Sequence, residues 1–96
     1  MIYKNKDIVI RHIEPAYFMV DIKKCYNNTT EKMFSTDEVG VAIWNVIQDG
    51  DSIDLVVNKF LELLKDEKTD ELIRRVKLDT IEYIEKLKSE GIILEI

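Results

Sequence analysis

A single cysteine, Cys25, leaves this chain unable to form an intrachain disulfide, so nothing in it points to an oxidising compartment. Alone, Cys25 reads as a small half-buried hydrophobe rather than a reactive thiol. The single histidine, His12, has no second histidine or cysteine pair near it, which excludes the usual metal-ligand spacings. With only three glycines (Gly40, Gly50 and Gly91) there is no Gly-rich phosphate loop, and neither a nucleophile elbow nor an HExxH motif is present. The carboxylates form no recognisable catalytic pattern, so the sequence calls for no cofactor and no metal, and does not read as an enzyme acting alone. Positive charge is also in deficit. Lys and Arg total 14 against 19 Asp and Glu, a net charge of −5, which disfavours non-specific binding to nucleic acid. No apolar run approaches a membrane-spanning length, and the N-terminal MIYKNKDIVI lacks the apolar core of a signal peptide. A cytoplasmic location is therefore expected. The overlapping N-x-T sequons at Asn27 and Asn28 then read as turn residues rather than glycosylation sites.

What is present fits one domain over residues 1–96. Ile2 to Ile13 alternates loosely and predicts a strand. Glu14-Pro15-Ala16 breaks it, because proline cannot continue a ladder. Tyr17 to Lys24 is the clearest strand, with Phe18, Val20 and Ile22 on one face and Tyr17, Met19, Asp21 and Lys23 on the other. A polar turn at Tyr26–Thr30 leads to a short third strand at Glu31–Ser35, and the short connections predict an antiparallel meander. Asp37–Gly50 reads as a short buried helix. Val39, Ile43, Val46 and Ile47 recur at helical spacing around Trp44, Gly40 and Ala42 permit close approach, and Ser35, Thr36 or Asp37 can cap its start. Ser52 caps a second helix with Val56, Phe60, Leu63 and Leu64 on its apolar stripe. A charged loop at Asp66–Asp70 precedes a third helix to about Glu90, closed by Gly91, and Ile92–Ile96 can add a short terminal strand.

The third helix carries the anomaly. At about 100° per residue, Ile73, Val76, Thr80, Tyr83, Ile84 and Leu87 form its core stripe. Ile81 lies well off that stripe and Leu78 nearly opposite it, with Arg74, Lys77 and Lys88 around them. A mixed face of this kind suits docking of an amphipathic, acidic segment. A meander also has open strand edges, and Glu31–Ser35 on one of them would accept an added peptide strand. Pairs such as Glu82–Lys86 read as solvated i,i+4 contacts.

Taken together, Glu38-Val39-Gly40-Val41-Ala42-Ile43-Trp44 and Gln48-Asp49-Gly50 resemble the signature of PqqD-like proteins, the RiPP recognition elements. Ser52-Ile53-Asp54-Leu55-Val56-Val57 is similar to the start of that family's second helix. Asp79, Tyr83-Ile84, Leu87 and Gly91-Ile92-Ile93 resemble its closing helix, so the likeness spans roughly Phe34 to Ile93. Thr36-Asp37 stand where the family often has Leu-Asn. The resemblance implies an α+β, winged-helix-like fold: a three-stranded antiparallel sheet followed by three helices. It also implies binding of the leader segment of a ribosomally made precursor peptide, as an added strand beside the third strand and third helix. The peptide would then pass to a modifying enzyme such as a radical-SAM enzyme, a cyclase or a leader peptidase.

The expected contacts are Lys32, Met33, Phe34 and Ser35 on the strand, with Arg74, Lys77, Leu78 and Ile81 on the helix. Ile81→Asp is the substitution expected to weaken leader binding. Two rival readings are a winged-helix DNA-binding or transcription-regulatory domain, and a structural subunit that pairs with a second copy through a strand edge as a homodimer.

Overall fold

The computed structural model describes residues 1–23 and 33–96. Cys25, both sequons, the polar turn, the Glu31–Lys32 start of the third predicted strand and the candidate contact Lys32 therefore lie outside the described residues. The elements run β1 (Ile2–Lys4), β2 (Ile8–Ile13), β3 (Ala16–Asp21), β4 (Met33–Thr36), α1 (Glu38–Val46), α2 (Ile53–Leu63), α3 (Asp70–Ser89) and β5 (Ile93–Glu95). The fold is α+β and winged-helix-like: the antiparallel sheet β2-β3-β4 is followed by three helices, as the sequence predicts.

The predicted first strand is two strands. Asn5-Lys6-Asp7 divides it, because the Asn5 side chain accepts from the Asp7 amide at 2.9 Å and folds the chain into a turn. The Asn5 amide group also donates to the Gly91 carbonyl at 3.1 Å, which ties this turn to the end of α3. Only Ile8–Ile13 joins the main sheet, pairing with β3 from Ile8↔Asp21 to Ile13↔Ala16. Ile2–Lys4 pairs instead with the C-terminal strand, from Ile2↔Glu95 to Lys4↔Ile93. The terminal apolar run therefore does add a strand, and its partner is the other end of the chain. Alternation in β3 sorts its residues into two faces as read. The face turned inward is that of Met19 and Asp21, both buried, while Phe18 and Val20 are half-buried on the other face.

Helix α1 stops at Val46, four residues before its predicted end. Ile47 turns extended, and Gln48–Asp51 closes a turn with Gly50 at φ +93°, a conformation that favours glycine. Asp37 is the N-cap, accepting from the Gly40 amide at 2.9 Å. Ser52 caps α2 as expected, accepting from the Leu55 amide at 3.1 Å, and Thr69 caps α3 in the same way. Gly91, at φ +73°, follows α3. The core gathers Ile43 and Trp44 of α1, Val56 and Phe60 of α2, and Ile84 and Leu87 of α3 against the sheet and the terminal strands. The Lys4 ammonium lies 4.6 Å from the Trp44 ring centroid, and burial there pushes its pKa down.

Asp51 joins these parts. Its carboxylate accepts from the Gln48 amide at 2.9 Å and from the Lys59 ammonium at 2.6 Å, and its carbonyl accepts from the Ile2 amide at 2.8 Å. Burial alone raises the Asp51 pKa, but the Lys59 and Gln48 hydrogen bonds outweigh it and hold the carboxyl below its ordinary range. A lowered folded-state value stabilises the native state above the ordinary aspartate pKa, and that contribution is lost as pH falls through the lowered value. Asp51→Ala should therefore cost about 2–3 kcal/mol at neutral pH, since it leaves the half-buried Lys59 ammonium without its partner. Denaturant melts at pH 7 and pH 3 should show the variant's deficit shrinking in acid.

Candidate peptide groove

In the sheet order β2-β3-β4, strand β4 is flanked by β3 on one side, and no strand flanks its other edge among the described residues. Registers Met19↔Phe34 and Tyr17↔Thr36 place Phe34 and Thr36 on the inward face. Both meet α3. The Phe34 and Tyr83 rings pack edge to face with centroids 6.2 Å apart, and the Thr36 and Tyr83 hydroxyls share a hydrogen bond of 2.5 Å. Next to this contact lies a groove of about 660 Å³. Phe34, Ser35 and Thr36 form one wall; Leu72, Val76, Tyr83 and Lys86 form the other; buried Ile43, Phe60 and Gly40 lie at its base. Val39, 56% exposed, lines both this groove and a second recess of about 480 Å³ shared with Pro15, Ala16 and Tyr17 at the tip of the β2–β3 hairpin.

The sequence-predicted contacts divide accordingly. Phe34 and Ser35 line the groove, and Met33 is half-buried beside them on β4. Arg74, Lys77, Leu78 and Ile81 do not line it. They lie roughly 100–200° around α3 from Val76, with Arg74, Lys77 and Leu78 exposed and Ile81 half-buried. Nor do Glu82 and Lys86 form the expected i,i+4 pair, since the Lys86 ammonium lies 5.5 Å from the Phe34 ring centroid instead. The groove's α3 wall comes partly from the stripe read as core: Val76 and Tyr83 are half-buried, while Thr80, Ile84 and Leu87 are buried. A helical wheel identifies the apolar side of a helix but does not show where along that side the neighbouring strand stands off.

The family model of coenzyme PQQ synthesis protein D (PqqD) matches residues 16–93. The chain belongs to the PqqD family. No curated protein sequence matches it. Among solved structures, TbiB1 in complex with the TbiA(beta) leader peptide aligns with a TM-score of 0.63, over 97% of this chain and 95% of that one, at 16% identity. At that identity the likeness is one of fold.

Within the PqqD domain, the signature residues hold the groove's frame. Gly40 sits where α1 crosses the Thr36–Tyr83 contact, so closely that a Cβ there would overlap the Thr36 hydroxyl and the Tyr83 phenol. Asp49 accepts from the Lys4 amide at 2.8 Å, fastening the N-terminal strand to the turn after α1. Asp37, in place of the commoner asparagine, still caps α1. Burial raises the Tyr83 phenol above its ordinary pKa; the Thr36 hydrogen bond pulls it back and the Asp37 charge adds to the rise. Tyr83 therefore stays neutral at physiological pH and serves as a clamp between β4 and α3. Among the described residues, no group of acidic, histidine or cysteine side chains could hold a metal ion, and no helix is long and apolar enough to cross a membrane.

Proposed function

We propose that this PqqD-family chain binds the leader segment of a ribosomally made precursor peptide and presents it to a modifying enzyme, such as a radical-SAM enzyme, a cyclase or a leader peptidase. The leader adds as a strand along the open edge of β4, and alternate side chains enter the groove against α3. The observation that carries this reading is the edge of β4 that no strand flanks among the described residues, bordering an apolar groove. Backbone groups on the edge supply hydrogen bonds that any extended peptide can meet, and the groove supplies the side-chain selection. Family membership supports the reading, as does a fold shared with a protein solved in complex with a leader peptide. The role is binding rather than catalysis. On α3 the contacts are proposed to be Leu72, Val76, Tyr83 and Lys86, and the outer face of Arg74, Lys77, Leu78 and Ile81 lies outside the peptide footprint.

The test is an amide NMR titration of the labelled chain with a synthetic leader peptide from a candidate precursor, with duplex DNA as the control. Shifts at Met33–Thr36 and along the groove side of Leu72–Lys86 are expected. A chain that ignores the peptide but shows salt-sensitive shifts on α3 with DNA is a nucleic-acid-binding domain instead.

A further inference from the structure

The groove is not electrically uniform. Asp37, directly after β4, and Asp79, one turn before Tyr83 on α3, line it on one side of Tyr83, and Asp66 also lines it. Lys86, one turn after Tyr83, lines it on the other side, beside Phe34. Among the described residues, the carboxylates of Asp66 and Asp79 and the ammonium of Lys86 have no ion-pair partner. Lys68 lies near Asp66 and donates to the carbonyls of Leu64 and Asp66, so Asp37 and Asp79 are the carboxylates that face the groove without a lysine beside them. Between these charges lies Tyr83 with the edge of Phe34, and Val76 and Leu72 continue the apolar wall beyond Asp79.

We propose, resting on the reading of the groove as the leader site, that it selects a peptide with a basic residue N-terminal to its apolar anchor and an acidic residue C-terminal to it. The direction follows from the strands. β4 runs from Phe34, at the lysine end, to Thr36, at the aspartate end. The sheet it belongs to is antiparallel throughout, and an antiparallel addition is slightly the more stable per residue. A peptide added that way enters at the aspartates and leaves at Lys86. Asp79 and Lys86 are seven residues apart on one helix, about 10 Å along its axis, and charged side chains four residues apart on an extended chain, about 13 Å, can reach both with one apolar residue between them on the same face. Side chains on one face of a strand recur every second residue, so the matching pattern is basic-x-apolar-x-acidic, with the apolar residue opposite Tyr83. This differs from the amphipathic, acidic partner that the outer basic residues of α3 suggest in the sequence. The groove wall carries three aspartates and one lysine, and a uniformly acidic strand would meet repulsion along most of its length.

The test uses the full chain and five fluorescein-labelled nonapeptides with one common apolar and threonine framework. They carry basic-to-acidic, acidic-to-basic, all-acidic, all-basic and uncharged ends. Fluorescence anisotropy at low salt should rank the basic-to-acidic peptide first, about tenfold tighter than the all-acidic one, with the margin shrinking in about 0.5 M salt. Lys86→Glu should transfer the preference to the all-basic peptide. If the uncharged peptide binds and all five are equal, or if the reversed or all-acidic peptide leads, charge selection is overturned while the groove reading stands. If none of the five binds, the groove reading fails and the charge proposal falls with it.

Discussion

Gly40→Ala should destabilise this domain by about 3 kcal/mol, lowering its melting temperature by roughly 12–24 °C. The sign is the informative part. Inside a helix, replacing glycine with alanine ordinarily stabilises by about 1 kcal/mol, because alanine has far less backbone freedom to lose. Gly40 is in the first turn of α1 and its backbone is helical, so propensity alone still predicts a gain. The tertiary structure reverses it. A methyl group at this position would occupy the space of the Thr36 hydroxyl and the Tyr83 phenol, the two groups that hold β4 against α3. One element must move, and the groove wall moves with it. Thr36→Ala combined with Tyr83→Phe removes both hydroxyls, though not the ring carbon beneath, so the triple variant should recover part of the loss. Thermal melts of the four proteins check this. A Gly40→Ala variant as stable as the parent would mean that α1 does not approach the β4–α3 contact as described.

Val39→Asp should weaken leader binding about ten- to thirtyfold and leave the fold unchanged. Val39 is exposed and lies where the groove and the hairpin recess meet, so a peptide running along β4 covers it. Losing that apolar contact and placing a carboxylate beside Asp37 in the covered groove costs about 1.5–2 kcal/mol of binding. Folding tolerates the change, because Val39 contributes little to the core and sits in the first turn of α1, where the helix dipole favours negative charge. Leu78→Asp is the matched control. Leu78 is equally exposed, at 58%, but lies on the outer face of α3, and its substitution should leave affinity unchanged. The two variants separate the groove from the outer face: if Leu78→Asp weakens binding and Val39→Asp does not, the peptide lies on the side of α3 with Arg74 and Lys77. Ile81 makes a poorer probe, since it is half-buried without lining the groove.

Much of the fold is legible in the residues because it depends on local chemistry. Ser52 and Asp37 cap helices, and Gly91 sits just past the end of α3, within a residue or two of where side-chain type places them. The α3 boundaries follow the 3.6-residue apolar period closely, because the helix is long and the period repeats. Helix α1 is shorter than its pattern, since Ile47 is apolar for the core yet already extended. The split between β1 and β2 is signalled by Asn5-Lys6-Asp7, a turn-forming triplet within an otherwise strand-like run.

The candidate site was half legible. The third strand as an open edge, and the groove between it and the third helix, follow from strand order and connection length. The α3 residues that line the groove do not. Val76 and Tyr83 have the same apolar character and spacing as Ile84 and Leu87, and no local property tells a residue packed in the core from one facing a gap. By itself, the sequence determined the element types, their caps, the family and the apolar side of each helix, since these depend on neighbours a few residues away along the chain. The tertiary structure alone decided that β1 pairs with β5, that Lys86 turns to Phe34 rather than Glu82, and which arc of α3 faces β4. Each of these is set by contacts between residues far apart in sequence, where packing rather than local propensity selects the partner.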